Sequence, residues 1–403
     1  MVYSKDTYTS RMMYLVVFLC FNNLCLVYDI TGIFDTIRIP VQLLAIFYIT
    51  LKMMVGFNTF KKVPNDKYSR SVISIIMLIS YLCIQIVFQR SNETSLLNNL
   101  SNGIFSLLLY LYFMIGSESK CNVNYEKLSC VALLILCPAY IYFRINMPLT
   151  GAPTHIYHAQ YVNSIYYIVL LLPFGLRSRW RYFLIGMVGL CVLFSGKQGA
   201  FLAVVIGVIC FYMSERKVFD NSLGKKSKIW IVVLGIIVVF AYDYVSTNME
   251  FDILRGFQSL EDDGGNGRLE IYQYLLTLIK QSSFIELVLG HGGMNAVSNR
   301  LGISAHNDFI EIIFDFGFIG FILYAIFIVS LISCYLKLIN IKSQLAPSLI
   351  YTIVVFLVLS MVSHLIFVLK YCMLLMSFLG IIMFEARREE IEWKKAKRES
   401  KSL

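Results

Sequence analysis

Charge is scarce in this sequence. Only 15% of its 403 residues are Asp, Glu, Lys or Arg, while 58% are hydrophobic and the mean hydropathy is +0.70. That balance excludes an ordinary soluble domain, in which about a quarter of residues are charged. The ten-residue alternation of polar and apolar positions is missing as well, which excludes an outer-membrane β-barrel. Ten cysteines are present but no Cys-x-x-Cys pair, and Cys20, Cys83, Cys191 and Cys334 sit singly inside apolar runs. They read as small hydrophobes rather than a disulfide framework or a zinc site. A small-residue cleavage site is also lacking after Lys5 and Arg11, and the apolar run that follows continues too long for a cleaved leader. The first helix is therefore expected to be retained.

What the sequence has in abundance is apolar length. From near Met12 to near Phe384, apolar runs of roughly 17 to 22 residues recur, each enough to cross about 30 Å of hydrocarbon at about 1.5 Å per residue. About twelve are present. Backbone groups in hydrocarbon must pair within the segment, so each run is expected to be a helix and the fold an all-α polytopic membrane bundle. The net charge of +10 is explained by topology rather than by nucleic acid. With loops assigned alternately to the two sides, about 26 of the 35 Lys and Arg fall on the cytoplasmic side and about 9 outside, so both termini are expected to be cytoplasmic. The inner clusters are Lys61, Lys62, Lys67 and Arg70; Arg177, Arg179 and Arg181; Arg216, Lys217, Lys225, Lys226 and Lys228; and the tail from Arg387 to Lys401.

The expected organisation follows. Residues 1–246 carry transmembrane helices 1–9, residues 247–307 a large outer loop, residues 308–386 helices 10–12, and residues 387–403 a basic cytoplasmic tail. Two places break the monotony. The loop ends its first part in the glycine-rich turn Gly264-Gly-Asn-Gly267, after which residues 268–289 show helical spacing of Leu269, Tyr272, Leu275, Leu276 and Ile279. This is expected to be one amphipathic helix able to lie along the membrane surface. Residues 182–214 lie between two cytoplasmic basic clusters and are interrupted by Ser195-Gly-Lys-Gln-Gly199. They are expected to form a short hairpin whose arms, about 21 to 25 Å long, leave Lys197 below the outer surface. A cation at such depth normally faces a polar cavity or a partner.

Smaller signals carry little. Gly290-His-Gly-Gly293 lacks the P-loop lysine and reads as a turn, and Glu261-Asp-Asp263 reads as a solvated acidic loop. His155-Ile-Tyr-His158 has helix-compatible ligand spacing but no third ligand; no metal site is expected, and the two histidines are candidates for an acceptor path. Gly186/Gly189 and Gly317/Gly320 suggest close helix packing.

The stretch His306-Asn-Asp-Phe-Ile-Glu-Ile-Ile-Phe-Asp-Phe-Gly317-Phe-Ile-Gly320 resembles the His-Asn-x-x-Leu-Glu-x-x-x-x-x-Gly-x-x-Gly signature of the O-antigen polymerase/ligase family. Gly267-Arg-Leu-Glu-Ile-Tyr272 is similar to the family's Gly-Arg-Leu element in the large periplasmic loop, and Ser195-Gly-Lys-Gln-Gly-Ala200 falls at its short turn between two helices. Lys197 stands where that turn often carries Arg, so a point charge replaces a planar fork. The resemblance covers about the second half of the chain. It implies a fold like that of the type C glycosyltransferases, in the bacterial inner membrane, with the site facing the periplasm. It also implies a metal-independent, inverting glycosyl transfer, without cofactor, from an undecaprenyl-pyrophosphate-linked oligosaccharide. A flippase and a chain-length regulator are the partners expected beside membrane lipid.

The residue types suit that chemistry. A pyrophosphate leaving group gathers negative charge, which fixed cations in a poorly solvated site stabilise; Arg268, Arg255 and Lys197 are the candidates, Arg268 also as a catalytic residue. His306 is the candidate base or hydroxyl-orienting residue, with Asn307 and Glu311 in support. Each also has a plainer reading. Asn307 could cap the following helix with Glu311 favoured in its first turn, Arg268 could start a helix on a solvated face, Lys197 could snorkel to headgroups, and Arg255 could be surface charge. Three functions remain open: a polymerase of lipid-linked repeat units, the favoured reading; a ligase transferring the chain to lipid A core; and, from another class, a flippase or transporter. The last fits less well because the chain shows no internal duplication and its suspect charges gather at one outer loop.

Overall fold

A computed structural model describes residues 67–88, 103–115, 125–146, 164–219, 268–293, 296–302, 304–363, 365 and 369–402, with five isolated positions between 40 and 51. All regular elements among them are helices. In chain order these are α1 (Lys67–Phe88), α2 (Phe105–Ile115), α3 (Tyr125–Asn146), α4 (Ile165–Gly175), α5 (Arg181–Ser195), α6 (Gln198–Phe219), α7 (Arg268–Gln281), α8 (Phe284–Leu289), α9 (Ala296–Leu301), α10 (Asp308–Asn340), α11 (Ala346–Val362) and α12 (Leu369–Ser402). By length and composition, Tyr68–Val87, Gln198–Phe219 and Asp308–Asn340 are able to cross a membrane. The described residues are all-helical, and the three candidate spans are consistent with a membrane protein. The expected count of spans and the loop assignments include stretches outside the described residues.

The main helix pairs are α1 on α10 and α6 on α11, which run antiparallel, and α2 on α12, which run parallel, with Ser106 beside Cys372 and Tyr110 beside Gly380. Small residues and polar plugs make this possible. Gly207 of α6 lets Tyr351 of α11 approach closely. Pro173 of α4 has no N–H to offer the carbonyl of Val169, one turn earlier; the buried Tyr351 hydroxyl donates to that carbonyl instead, at 3.2 Å. The small-residue pairs divide differently from expectation. Gly189 faces open space, while Gly320 packs against Phe316 and Tyr81.

Gly317 does something else altogether. It breaks α10 with φ 64° and ψ −170°, a conformation open to glycine and costly to other residues. The kink presses against the turn after α8, where Gly290, at φ 86°, meets the backbone of Asp315 and Phe316 without room for a methyl group on either side. His291 and Gly293 donate backbone N–H groups to the carbonyls of Phe314 and Asp315 at 3.0 and 3.1 Å. Helix α1 completes the joint: the Tyr81 hydroxyl lies 2.8 Å from the carbonyls of both Leu289 and Phe316, and Gln85 donates to Leu289 at 2.6 Å. Buried carbonyls released by the kink are thus paired by the first half of the chain.

The amphipathic segment expected over 268–289 is two helices. Ser283 stops α7 and caps α8, its side chain accepting from Glu286 N–H while the Glu286 carboxylate accepts from Ser283 N–H. Leu275 and Leu278 of α7 are buried with Val297, Ala305 and Phe314, whereas Leu269 and Leu276 stay exposed.

Candidate functional site

The segment expected as a hairpin forms α5 and α6, joined by a turn at Gly196, which takes the left-handed conformation at φ 65°. Arg181 at the start of α5 donates to Glu215 near the end of α6 at 2.7 Å, so the two arms run antiparallel. Lys197 therefore sits at the end of the bundle remote from the basic clusters. The Ser195 hydroxyl holds this turn by accepting from Lys197 N–H at 3.0 Å.

Three other segments meet there. Arg268, the first residue of α7, donates from its guanidinium to the carbonyl of Val362 at 3.1 Å. Val362 ends α11, and its side chain fills the space that a Cβ on Gly199 would occupy. One residue on, the Ser363 hydroxyl accepts from Tyr166 of α4 at 2.9 Å. Leu365 N–H donates to the fully buried carboxylate of Asp308 at 3.1 Å. The break between α11 and α12 is thus the knot that ties the hairpin, the loop helix α7 and the start of α10 together.

The two cations lie within electrostatic reach of each other. Burial, and then the neighbouring Arg268 guanidinium, push the ammonium of Lys197, in its turn, below the ordinary lysine range. Among the described residues no carboxylate is within ion-pair distance of either. One helical turn after Arg268, the Tyr272 hydroxyl reaches towards the His306 carbonyl at 3.5 Å and the Asn307 side chain. Arg268, Lys197 and the His306–Asn307 turn are therefore assembled in one place.

The plainer reading of Asn307 is observed: it caps α10, its side-chain oxygen accepting from Phe309 and Ile310 N–H at 3.0 and 3.2 Å. His306, just before the cap, is held at φ 53°, in the left-handed region that non-glycine residues seldom occupy. Glu311 is turned inward, a buried carboxylate accepting from Ala305 N–H. It braces the His306 turn from below.

Arg255, His155 and His158 lie outside the described residues. Residues to which the sequence reading gave no part in the site join instead. Asp308 and Ser363 clamp the α11–α12 break, Tyr81 and Gln85 hold the α10 kink, and His291 links the α8 turn to α10. The His291 ring stacks on Phe314 at 4.0 Å, with Nδ1 2.9 Å from the Phe314 carbonyl and Nε2 2.9 Å from the Ser282 hydroxyl. Among these, Asp308 carried a signal, as a carboxylate directly beside an expected cap.

No match is found among curated proteins. Residues 182–325, the stretch that holds Lys197, Arg268 and the His306 turn, match the family model described as O-Antigen ligase, which supports membership of the O-antigen polymerase/ligase superfamily.

Proposed function

We propose that the chain is a glycosyltransferase that polymerises undecaprenyl-pyrophosphate-linked repeat units into O-antigen or a related surface polysaccharide at the periplasmic face of the bacterial inner membrane. The observation that carries this reading is the convergence of two cations, far apart in sequence, on one half-buried place beside a strained histidine. Held among carbonyls and hydroxyls, Arg268 and Lys197 suit a pyrophosphate, and Arg255 of the same loop is assigned to it as well. His306 orients the acceptor hydroxyl and takes its proton as that oxygen bonds to the donor's anomeric carbon. The bond from that carbon to the pyrophosphate oxygen breaks, and the departing pyrophosphate keeps the electron pair. The cations stabilise its growing charge in the role a metal ion would otherwise take. Attack opposite the leaving group inverts the anomeric centre. His155 and His158 are assigned to the acceptor path, and both termini, with the basic clusters, to the cytoplasm.

Deleting the gene in the native host tests this. A polymerase deletion removes the polysaccharide ladder on a gel and leaves lipid A core carrying a single repeat. Bare core with accumulated lipid-linked polymer makes the protein a ligase, and unflipped repeats inside the cell make it a transporter.

A further inference from the structure

We infer that helix α8 is seated in the outer edge of the bilayer, with Phe284 and Ile285 inserted among phospholipid acyl chains of the leaflet opposite the basic clusters. The inference is independent of the enzymatic reading and rests on depth, on exposure and on rigidity.

Depth comes from two helices used as rulers. Helix α10 has 33 residues, about 50 Å and too long for one crossing, but its kink at Gly317 divides it. From Gly317 to Lys337 the helix rises about 30 Å, the thickness of the hydrocarbon core. Lys337 marks the basic face, paired with the buried Glu390 of α12 and lying 5.1 Å from the Tyr68 ring of α1. Along α1, the rise from Lys67 to Gln85, whose amide grips Leu289, is about 27 Å. Both rulers start at the same face and both end at the turn after α8. That turn lies at the far hydrocarbon boundary.

Exposure then identifies the lipid-facing side. Phe284 is 79% exposed and Ile285 68%, on the first turn of α8. They remain bare although Leu275 and Leu278 of the preceding helix are buried. Only five residues before a turn at the hydrocarbon boundary, these side chains can reach the acyl chains; in water they would be among the costliest residues on the surface.

Rigidity comes from both ends of the helix. The Ser283–Glu286 capping box fixes the first turn, and the Ser282–His291 hydrogen bond, with the Gly290 crossing, fixes the last. The apolar tip is thus a wedge held at constant depth. It positions α7, which carries Arg268, relative to the leaflet.

The test uses the full chain in vesicles of phosphatidylethanolamine and phosphatidylglycerol, with a benzophenone amino acid replacing Phe284 or, separately, Ile285. After irradiation, intact mass should increase by one phospholipid at either position. The same probe at exposed Gln273 of α7 should give no lipid adduct. Two positions guard against a variant that fails to accumulate. Absence of a lipid adduct at both, equal labelling at Gln273, or a covalent dimer in place of the lipid adduct would each overturn the inference.

Discussion

The two ends of the bundle treat charge in opposite ways. At the basic end, cations are matched to carboxylates or rings: Arg181 with Glu215 and with the Tyr182 and Tyr212 rings, Arg177 with Glu126 at 3.3 Å, and Lys337 and Lys394 with the buried Glu390. At the other end Lys197 and Arg268 are brought towards each other, and Arg268 is hydrogen-bonded only as far as a backbone carbonyl. Matched charge is an anchor and changes little when removed. Like charge gathered in one place suits an anion, and the proposed pyrophosphate site rests on that contrast.

The largest effects should come from emptying that site. His306→Ala is expected to lower transfer about 10²- to 10⁴-fold, the usual contribution of a positioned acid–base group, and Arg268→Ala to abolish it, both with normal amounts of protein in the membrane. Gel analysis of surface polysaccharide alongside membrane immunoblots separates lost chemistry from lost protein.

Lys197→Ala should come next, with a large loss, while Lys197→Arg should be tolerated. Their pH behaviour sharpens the point. Only the ammonium attracts pyrophosphate, and its pKa is held below the usual lysine value. Donor binding should therefore be full below that pKa and fade as pH rises through it, earlier than an ordinary lysine would allow. Lys197→Arg should move the alkaline limb of a binding–pH profile upward; an unmoved limb would remove Lys197 from the site.

Asp308→Ala leaves Leu365 N–H without its acceptor and should loosen the knot at the α11–α12 break, weakening apparent donor affinity. Asp308→Asn, which keeps an oxygen acceptor, should restore most of it. A comparison of KM and kcat for the two variants reads this out. Gly317→Ala should cost on the order of 2 kcal/mol, because alanine must take up a glycine conformation against neighbouring backbone; thermal unfolding in detergent measures it. The smallest effect should be at the other end. Arg181→Gln should cost no more than about 1 kcal/mol, as for a partly exposed ion pair, and leave polysaccharide assembly intact.

Much of the site end was legible because its signals are local. The Asn307 cap, the Gly290–Gly293 turn and the Ser195–Gly199 interruption each follow from a few adjacent residues. The break inside 268–289 was missed: Ser283 followed three residues later by Glu286 is a capping box, but the helical spacing of Leu269 to Ile279 hides it when periodicity alone is counted. What the sequence could not supply is contact between distant segments. Nothing near Tyr81 or Gln85 announces that they hold carbonyls more than two hundred residues away. Nor does the Val362 side chain reveal that its backbone oxygen receives Arg268. Such partners belong to irregular backbone, and backbone carries no residue code.

The most direct test of the contrast between the two ends is the binding of undecaprenyl pyrophosphate to the purified full-length chain in detergent. The account predicts that the Lys197→Ala/Arg268→Ala double variant loses more than tenfold in affinity while Arg181→Gln binds as the unaltered chain does. Equal affinity in all three would contradict it.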